Sequence, residues 1–220
     1  MYFTVESQSS DKEKILALVL SMHICMKGSN LTIGCTKKTF DYVTSFYKVD
    51  INLKHIEIAD EDANPINLFV NFRNVISDVH LENDKAVYIA PIVYVINDLS
   101  KVVDDTSNKG IVVIKRDCEL VEEAGNYPLI FAVFNKDNIT MEAIDKYIED
   151  NMDLCVNTKN KLLEIGYPTD SMDSEECKKI RNMRSELYVP ISAMAQNFIL
   201  VMLKQNDLVS LITDGIFMDM

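Results

Sequence analysis

Residues 85–98, "KAVYIAPIVYVIND", decide how the chain is to be folded. Ala86 to Ala90 form a short apolar run that stops at Pro91, and Ile92, Val95, Ile96, Leu99, Val102 and Val103 then recur at helical spacing. The stretch therefore reads as a buried strand that passes at Pro91 straight into a helix, the strand-to-helix junction of a parallel sheet. A phosphate held at such a junction needs glycines, short hydroxyls and free amides. Ala90, Pro91, Ile92 and Val93 supply no hydroxyl before Tyr94, and Pro91 also removes a donor, so phosphate is not expected to be cradled here.

The same alternation extends outward in both directions. Toward the N-terminus, an edge strand at Tyr2–Val5 precedes "SSDKEKILALVLSMHICMKG", a helix with Ser10 and Glu13 at capping-box spacing and Gly28 as its left-handed exit. "LTIGC" is a strand, and "TKKTFDYVTSFYK" a helix capped by Thr36 with Phe40, Val43, Phe46 and Tyr47 on one face. "VDINLKHIEIAD" alternates as a strand, and the next helix starts at Asn64 and Pro65 and buries Ile66, Phe69, Ile76 and either Phe72 or Arg73. Toward the C-terminus, "GIVVIK" is a strand, "DCELVEEAG" a short helix closed by Gly125, and "YPLIFAVF" a nearly continuous apolar strand. Unalternating runs of this kind suit a sheet covered on both faces by helices.

These units predict an α/β domain over residues 1–139, a doubly wound and mainly parallel sheet of Rossmann-like type. Residues 140–220 read as a helical C-terminal extension packed on the same domain. One long helix ends at Gly166, a second is capped by Asp170 or Ser171 and runs to Leu187, Pro190 breaks or kinks it, and strand signal returns only at "GIFMDM".

Composition narrows the partners. With 22 basic and 34 acidic residues, a net charge of −12 argues against capture of nucleic acid or of an anionic membrane. No run of 18 apolar residues and no basic-then-apolar leader is present, so a cytoplasmic location is expected. Five cysteines with no close pair read as reduced thiols, and three histidines far apart in the chain draw no zinc pattern, so neither a metal nor a cofactor is expected.

Ligands of an open parallel sheet settle outside the carboxyl ends of its strands. That rule selects residues 34–38, 60–64, 90–92, 116–118 and 135–137. In "GCTKK", Gly34 allows close backbone approach, Thr36 offers a hydroxyl, and Lys37 and Lys38 stand in a first helical turn, where the dipole disfavours cations and an anion would compensate. The alternative is that both lysines face solvent and offset nearby acids. In "KRDCE", Arg116 can clamp a phosphate, while Asp117 serves as a ligand contact or as a plain helix cap. Cys118 has no histidine beside it in sequence, His23, His55 and His80 lack evident orienting partners, and no catalytic base is assigned. Lys178, Arg181 and Arg184 share a helix face that reads as solvated, and the methionines of the tail read as core or subunit contact.

The element order, with "LTIGCTKKTFDYV" and then the long stretch from "AVYIAPIVYV" to "NYPLIF", resembles the sugar-isomerase (SIS) domain family of phosphosugar isomerases and phosphosugar-binding regulators. The resemblance spans roughly residues 11–165 in outline and matches a motif at Gly34 and Cys35. It departs at Thr36, where the family has a glycine, and at "APIVYV", where the family has a serine-rich phosphate loop. With the strand-end residues, the leading expectation is an SIS-like domain that binds a small anionic metabolite, such as a sugar phosphate, through Gly34, Thr36, Lys37, Lys38, Arg116 and Asp117, with isomerase-type chemistry; the departures leave a different ligand or lost catalysis as alternatives. A competing expectation is a non-catalytic interaction protein whose Met-rich C-terminal helices form the working surface and a homo-oligomer contact.

Overall fold

The computed structural model describes residues 1–6, 11–46, 48–58, 65–105, 111–114, 131–138, 141–169, 171–204, 209–212 and 217–219. In chain order the elements are β1 (Tyr2–Val5), α1 (Lys12–Cys25), β2 (Asn30–Cys35), α2 (Lys37–Phe46), β3 (Asn52–Glu57), α3 (Pro65–Glu82), β4 (Lys85–Ile89), β5 (Val93–Val95), α4 (Ser100–Asp105), β6 (Ile111–Ile114) and β7 (Phe131–Asn135). A long helical pair follows, α5 (Met141–Ile165) and α6 (Ser174–Lys204), and then β8 (Val209–Ile212) and β9 (Phe217–Asp219).

The main sheet has the order β3-β2-β1-β4-β7. Its first four strands are parallel, with Thr4 opposite Ile33 and Tyr2 opposite Val87, while β7 runs antiparallel to β4 with Lys85 opposite Asn135. Alternate side chains enter two separate cores, one on each face. Tyr2, Leu31, Ile33, Val87, Ile89, Phe131 and Val133 pack on the face covered by Ile15, Leu18, Val19 and Met22 of α1. Phe3, Val5, Ala86, Ala132 and Phe134 pack on the opposite face, under Phe69, Phe72, Val75 and Ile76 of α3 and Ile144 and Ile148 of α5. This two-sided burial is why β4 and β7 read as apolar runs without alternation. The α/β layer is therefore the one expected, and Gly28 and Gly166 take the left-handed conformation at φ 74° and 70°.

The opening stretch is corrected. No helix starts at Pro91: the chain turns, with the Val93 N–H donating to the Ala90 carbonyl at 3.1 Å, and continues as the short strand β5. β5 pairs antiparallel with β9, and the Val95 N–H donates to Ser21 Oγ of α1 at 3.0 Å. Two β-branched residues around Tyr94 favour the extended form, and their spacing from Leu99, Val102 and Val103 matched a helix only by coincidence. The helix begins later, at Ser100, whose N–H and hydroxyl both donate to Asp98 Oδ1, at 2.9 and 2.7 Å.

Other boundaries also move. At the head of α1 the N-cap position belongs to Asp11, which makes no side-chain cap bond, and Ser10 lies outside the described residues. α6 is continuous through Pro190, and its N-cap is Asp173, which accepts from the Glu175 and Glu176 amides at 2.9 and 2.8 Å. β6 leaves the main sheet to pair in parallel with β8, a strand that the polar helix-end composition around it concealed. The predicted short helix at 117–125 and the residue Tyr47 lie outside the described residues.

The helical pair is tied to the body by specific polar contacts. Arg73 of α3 grips Asp145 of α5 with two parallel bonds of 2.7 and 2.9 Å. Arg184 of α6 donates to the Leu162 and Gly166 carbonyls at 3.1 and 2.7 Å and lies 3.8 Å over the Tyr167 ring. That guanidinium caps the carboxyl end of α5, so Arg184 does not belong to a solvated charged face.

Candidate functional site

From β1 the chain moves outward to β2 and β3, and β4 returns to the other side of β1. The direction of winding reverses between β1 and β4, and the crevice outside their carboxyl ends is where an open α/β sheet takes ligands. Phe3 is opposite Tyr88, so carrying the register forward brings Val5 level with Ala90. Outside those carboxyl ends lie Glu6 after β1, Asp11 at the head of α1, and Ala90, Pro91 and Ile92 after β4, all buried except Ile92, which is half-buried.

Glu6 is the most informative residue of the group. It is only 4% exposed, and its own N–H donates to the Gly34 carbonyl at 2.7 Å, extending the β1–β2 ladder by one bond. Its carboxylate accepts from the Thr36 N–H at 2.8 Å and from the Thr39 hydroxyl at 2.5 Å. Thr36 Oγ1 in turn accepts from the Thr39 N–H at 3.3 Å, the capping geometry expected of Thr36. The positive end of α2 therefore already holds an anion, and that anion is a side chain of the protein itself. Neighbouring Cys35 is buried, and burial together with the Glu6 charge pushes its thiol up to about 12. Such a thiol is protonated and poorly nucleophilic.

Asp11 is 2% exposed and accepts from Lys14 Nζ at 3.0 Å. Burial, with a smaller contribution from Asp11, raises the Tyr88 hydroxyl well above its ordinary range. The Tyr88 ring packs against Phe3 and Phe72 at centroid distances of 5.4 and 5.2 Å. Ala90 and Pro91 are buried and Ile92 is partly so, so the end of β4 is apolar where the end of β1 is acidic.

The residues singled out in the sequence fall in different places. Gly34 does provide for close approach, but to α3: a Cβ there would stand 2.5 Å from Val75 Cγ2. Lys37 pairs with Asp41 at 3.1 Å with its side chain 70% exposed, and Lys38 is exposed. Arg116, Asp117 and Cys118 lie outside the described residues. The structure thus brings Gly34 and Thr36 beside Glu6 and Thr39, two residues the sequence reading passed over. Their signal was an acid directly after an apolar strand and a hydroxyl three residues after a cap.

The histidines are occupied by the fold. His55 Nε2 lies 2.9 Å from the Cys35 carbonyl while its ring stacks on Phe40 at 4.3 Å and 7°. His23 Nδ1 accepts from the Asp50 N–H at 2.9 Å, and His80 Nδ1 lies 3.2 Å from the Asn83 carbonyl. Among the described residues no group of three or more His, Cys, Asp and Glu side chains could hold a metal ion, and no helix is long and apolar enough to cross a membrane.

No protein-family model matches the chain, and no curated protein matches it by sequence. Solved structures do. The glycosyltransferase GlyE of Streptococcus pneumoniae TIGR4 is similar over 96% of this chain at 12% identity and a TM-score of 0.53, and the chain spans 44% of GlyE. The galactosyltransferase LgtC, solved in complex with donor and acceptor sugar analogs, is similar over 96% of this chain and 73% of its own at 12% identity and a TM-score of 0.47. Mouse xyloside xylosyltransferase 1, apo form, is similar over 96% of this chain and 84% of its own at 6% identity and a TM-score of 0.45. At these identities the likeness is one of fold.

The likeness corrects the resemblance drawn from the sequence. The fold shared with GlyE is that of a glycosyltransferase and not of the SIS family. The SIS resemblance rested on element order and on the motif match at Gly34 and Cys35, and "APIVYV", where it already departed, forms a turn and the strand β5. The isomerase-type function falls with it, and the reading of the chain as a non-catalytic interaction protein gains no support from the likeness.

Proposed function

We propose that the chain acts in sugar transfer and binds a nucleotide-activated sugar in the crevice outside β1 and β4. The observation that carries this reading is the position of that crevice, at the reversal of winding in a fold of the kind found in GlyE. Fold alone leaves function open, so the reading rests on the site as well.

The site is built for a fixed shape. Glu6 ties the end of β1 to the head of α2 through Thr36 and Thr39, so the acidic end of β1 is held by hydrogen bonds inside the protein. Ala90 and Pro91 keep the end of β4 dry, which strengthens any polar contact made beside it. In this proposal Thr36 lies at the rim, Lys38 and Arg116 are candidate contacts for the phosphates, and Asp117 is a candidate ligand contact. The tail of residues 140–220 belongs to the same domain, a view supported by the return of β8 and β9 to pair with β6 and β5.

The test is a calorimetric titration of the protein with uridine and guanosine diphosphate sugars, the parent nucleoside diphosphates, and free sugar phosphates. Saturable binding of one nucleotide sugar class, with weaker binding of its parent diphosphate, is the expected result. Binding of sugar phosphates alone, or of none of the panel, would overturn the proposal.

A further inference from the structure

This inference rests on the sugar-transfer reading and concerns how the same crevice handles charge. A nucleoside diphosphate brings two phosphate groups, and a common counter-charge is a divalent cation bound by one or two carboxylates together with the phosphates themselves. Among the described residues, the donor set at the ends of β1 and β4 does not fit such an ion. On the β4 side, Ala90, Pro91 and Ile92 offer no side-chain oxygen. On the β1 side, both carboxylate oxygens of Glu6 already accept hydrogen bonds, from Thr36 and Thr39, and the group is 4% exposed. Asp11 is 2% exposed and is engaged by Lys14 at 3.0 Å. Residues 7–10, which join the two acids, are Ser, Gln, Ser and Ser and add no carboxylate. Freeing Glu6 for a metal would leave the Thr36 amide and Thr39 hydroxyl unpaired in a buried place, a loss that the ion would have to offset.

We infer that ligand binding at the β1–β4 crevice is independent of divalent cations. The phosphate charge is then met by the chain's own groups; in the first turns of α1 and α2, Lys12, Lys14 and Lys37 are paired with Glu13, Asp11 and Asp41, and Lys38 is exposed.

The experiment is a titration of the native protein with Mn²⁺, followed by the electron paramagnetic resonance signal of the free ion, and then of nucleotide sugar in Mn²⁺ or in chelator. The expected results are no saturable Mn²⁺ site and a nucleotide-sugar affinity that changes by less than about twofold between the two conditions. A saturable one-site Mn²⁺ isotherm, or a loss of about tenfold or more in affinity on chelation, would overturn the inference. If no nucleotide sugar binds at all, the proposed function fails, and the Mn²⁺ isotherm on the protein alone still decides this point.

Discussion

Replacing Gly34 by alanine sets two effects of opposite sign against each other. Glycine in a strand interior is entropically costly, so an unhindered alanine would stabilise the fold by about 0.5–1 kcal/mol. The added Cβ would stand 2.5 Å from Val75 Cγ2, closer than carbon atoms pack, while its other neighbours, at 3.7 Å, are at ordinary contact distance. Val75 is fully buried on α3 and β-branched, so it has one favourable rotamer and little room to turn away. Overpacking of this kind costs about 1–3 kcal/mol, which leaves Gly34→Ala destabilised by about 0–2.5 kcal/mol net. Urea unfolding gives the number, provided the slope with denaturant is unchanged. Repeating the substitution in a Val75→Ala background isolates the cause, because the clash disappears there and Gly34→Ala should become neutral or stabilising. A coupling of about 1–2 kcal/mol between the sites is expected for groups in direct contact. A Gly34→Ala protein more stable than the native one, or a penalty that persists without the Val75 methyl groups, would refute the argument.

Phe3→Ala should cost about 3–5 kcal/mol in the same assay, and a loss under about 1 kcal/mol would count against the second core. Phe3 is 0% exposed and its ring meets those of Phe72, Tyr88 and Phe134 at 5.4, 5.4 and 6.3 Å. Glu6→Ala should destabilise by about 1–3 kcal/mol by leaving two donors at the head of α2 unpaired. Hydrogen exchange should then accelerate at the Thr36 amide, and an unchanged rate there would argue that water replaces the carboxylate at no cost. Burial holds His80 below its ordinary value, with smaller lowering effects from the N-terminus and Lys136, while the Asn83 carbonyl and Asp84 act in the opposite direction. Because the folded state prefers the neutral ring, its contribution is complete above the unfolded value near 6.5 and is lost as pH falls below it. His80→Gln should flatten that part of the stability–pH curve, and a curve of unchanged shape would show that other groups set it.

The α/β layering was legible because β4 and β7 are buried on both faces and carry the apolar runs that such burial requires, whereas β1, expected at an edge, is the middle strand, between β2 and β4. Gly28 and Gly166 were legible for a local reason, since positive φ selects glycine at a helix exit. The junction at Pro91 was not: Ile92, Val95, Ile96 and Leu99 satisfy a helical spacing, and the contacts that hold β5 straight come from Ser21 and from β9, far away in sequence. The same limit hid the crevice. Thr36 was recognised as a cap, but its anionic partner Glu6 lies thirty residues earlier. The lysines beside it then invited an external ligand for a helix end that the fold had already filled. Gly34 was noticed for the right property, close approach, but the approaching group is a helix side chain.

The claim that the β1–β4 crevice receives a nucleotide-activated sugar is tested most directly by mapping amide chemical shifts while the protein is titrated with whichever nucleotide sugar the calorimetric panel selects. The account predicts saturable shifts that cluster at Glu6, Asp11, Thr36, Ala90 and Ile92. Shifts confined to α5 and α6, or none at saturating ligand, would contradict it.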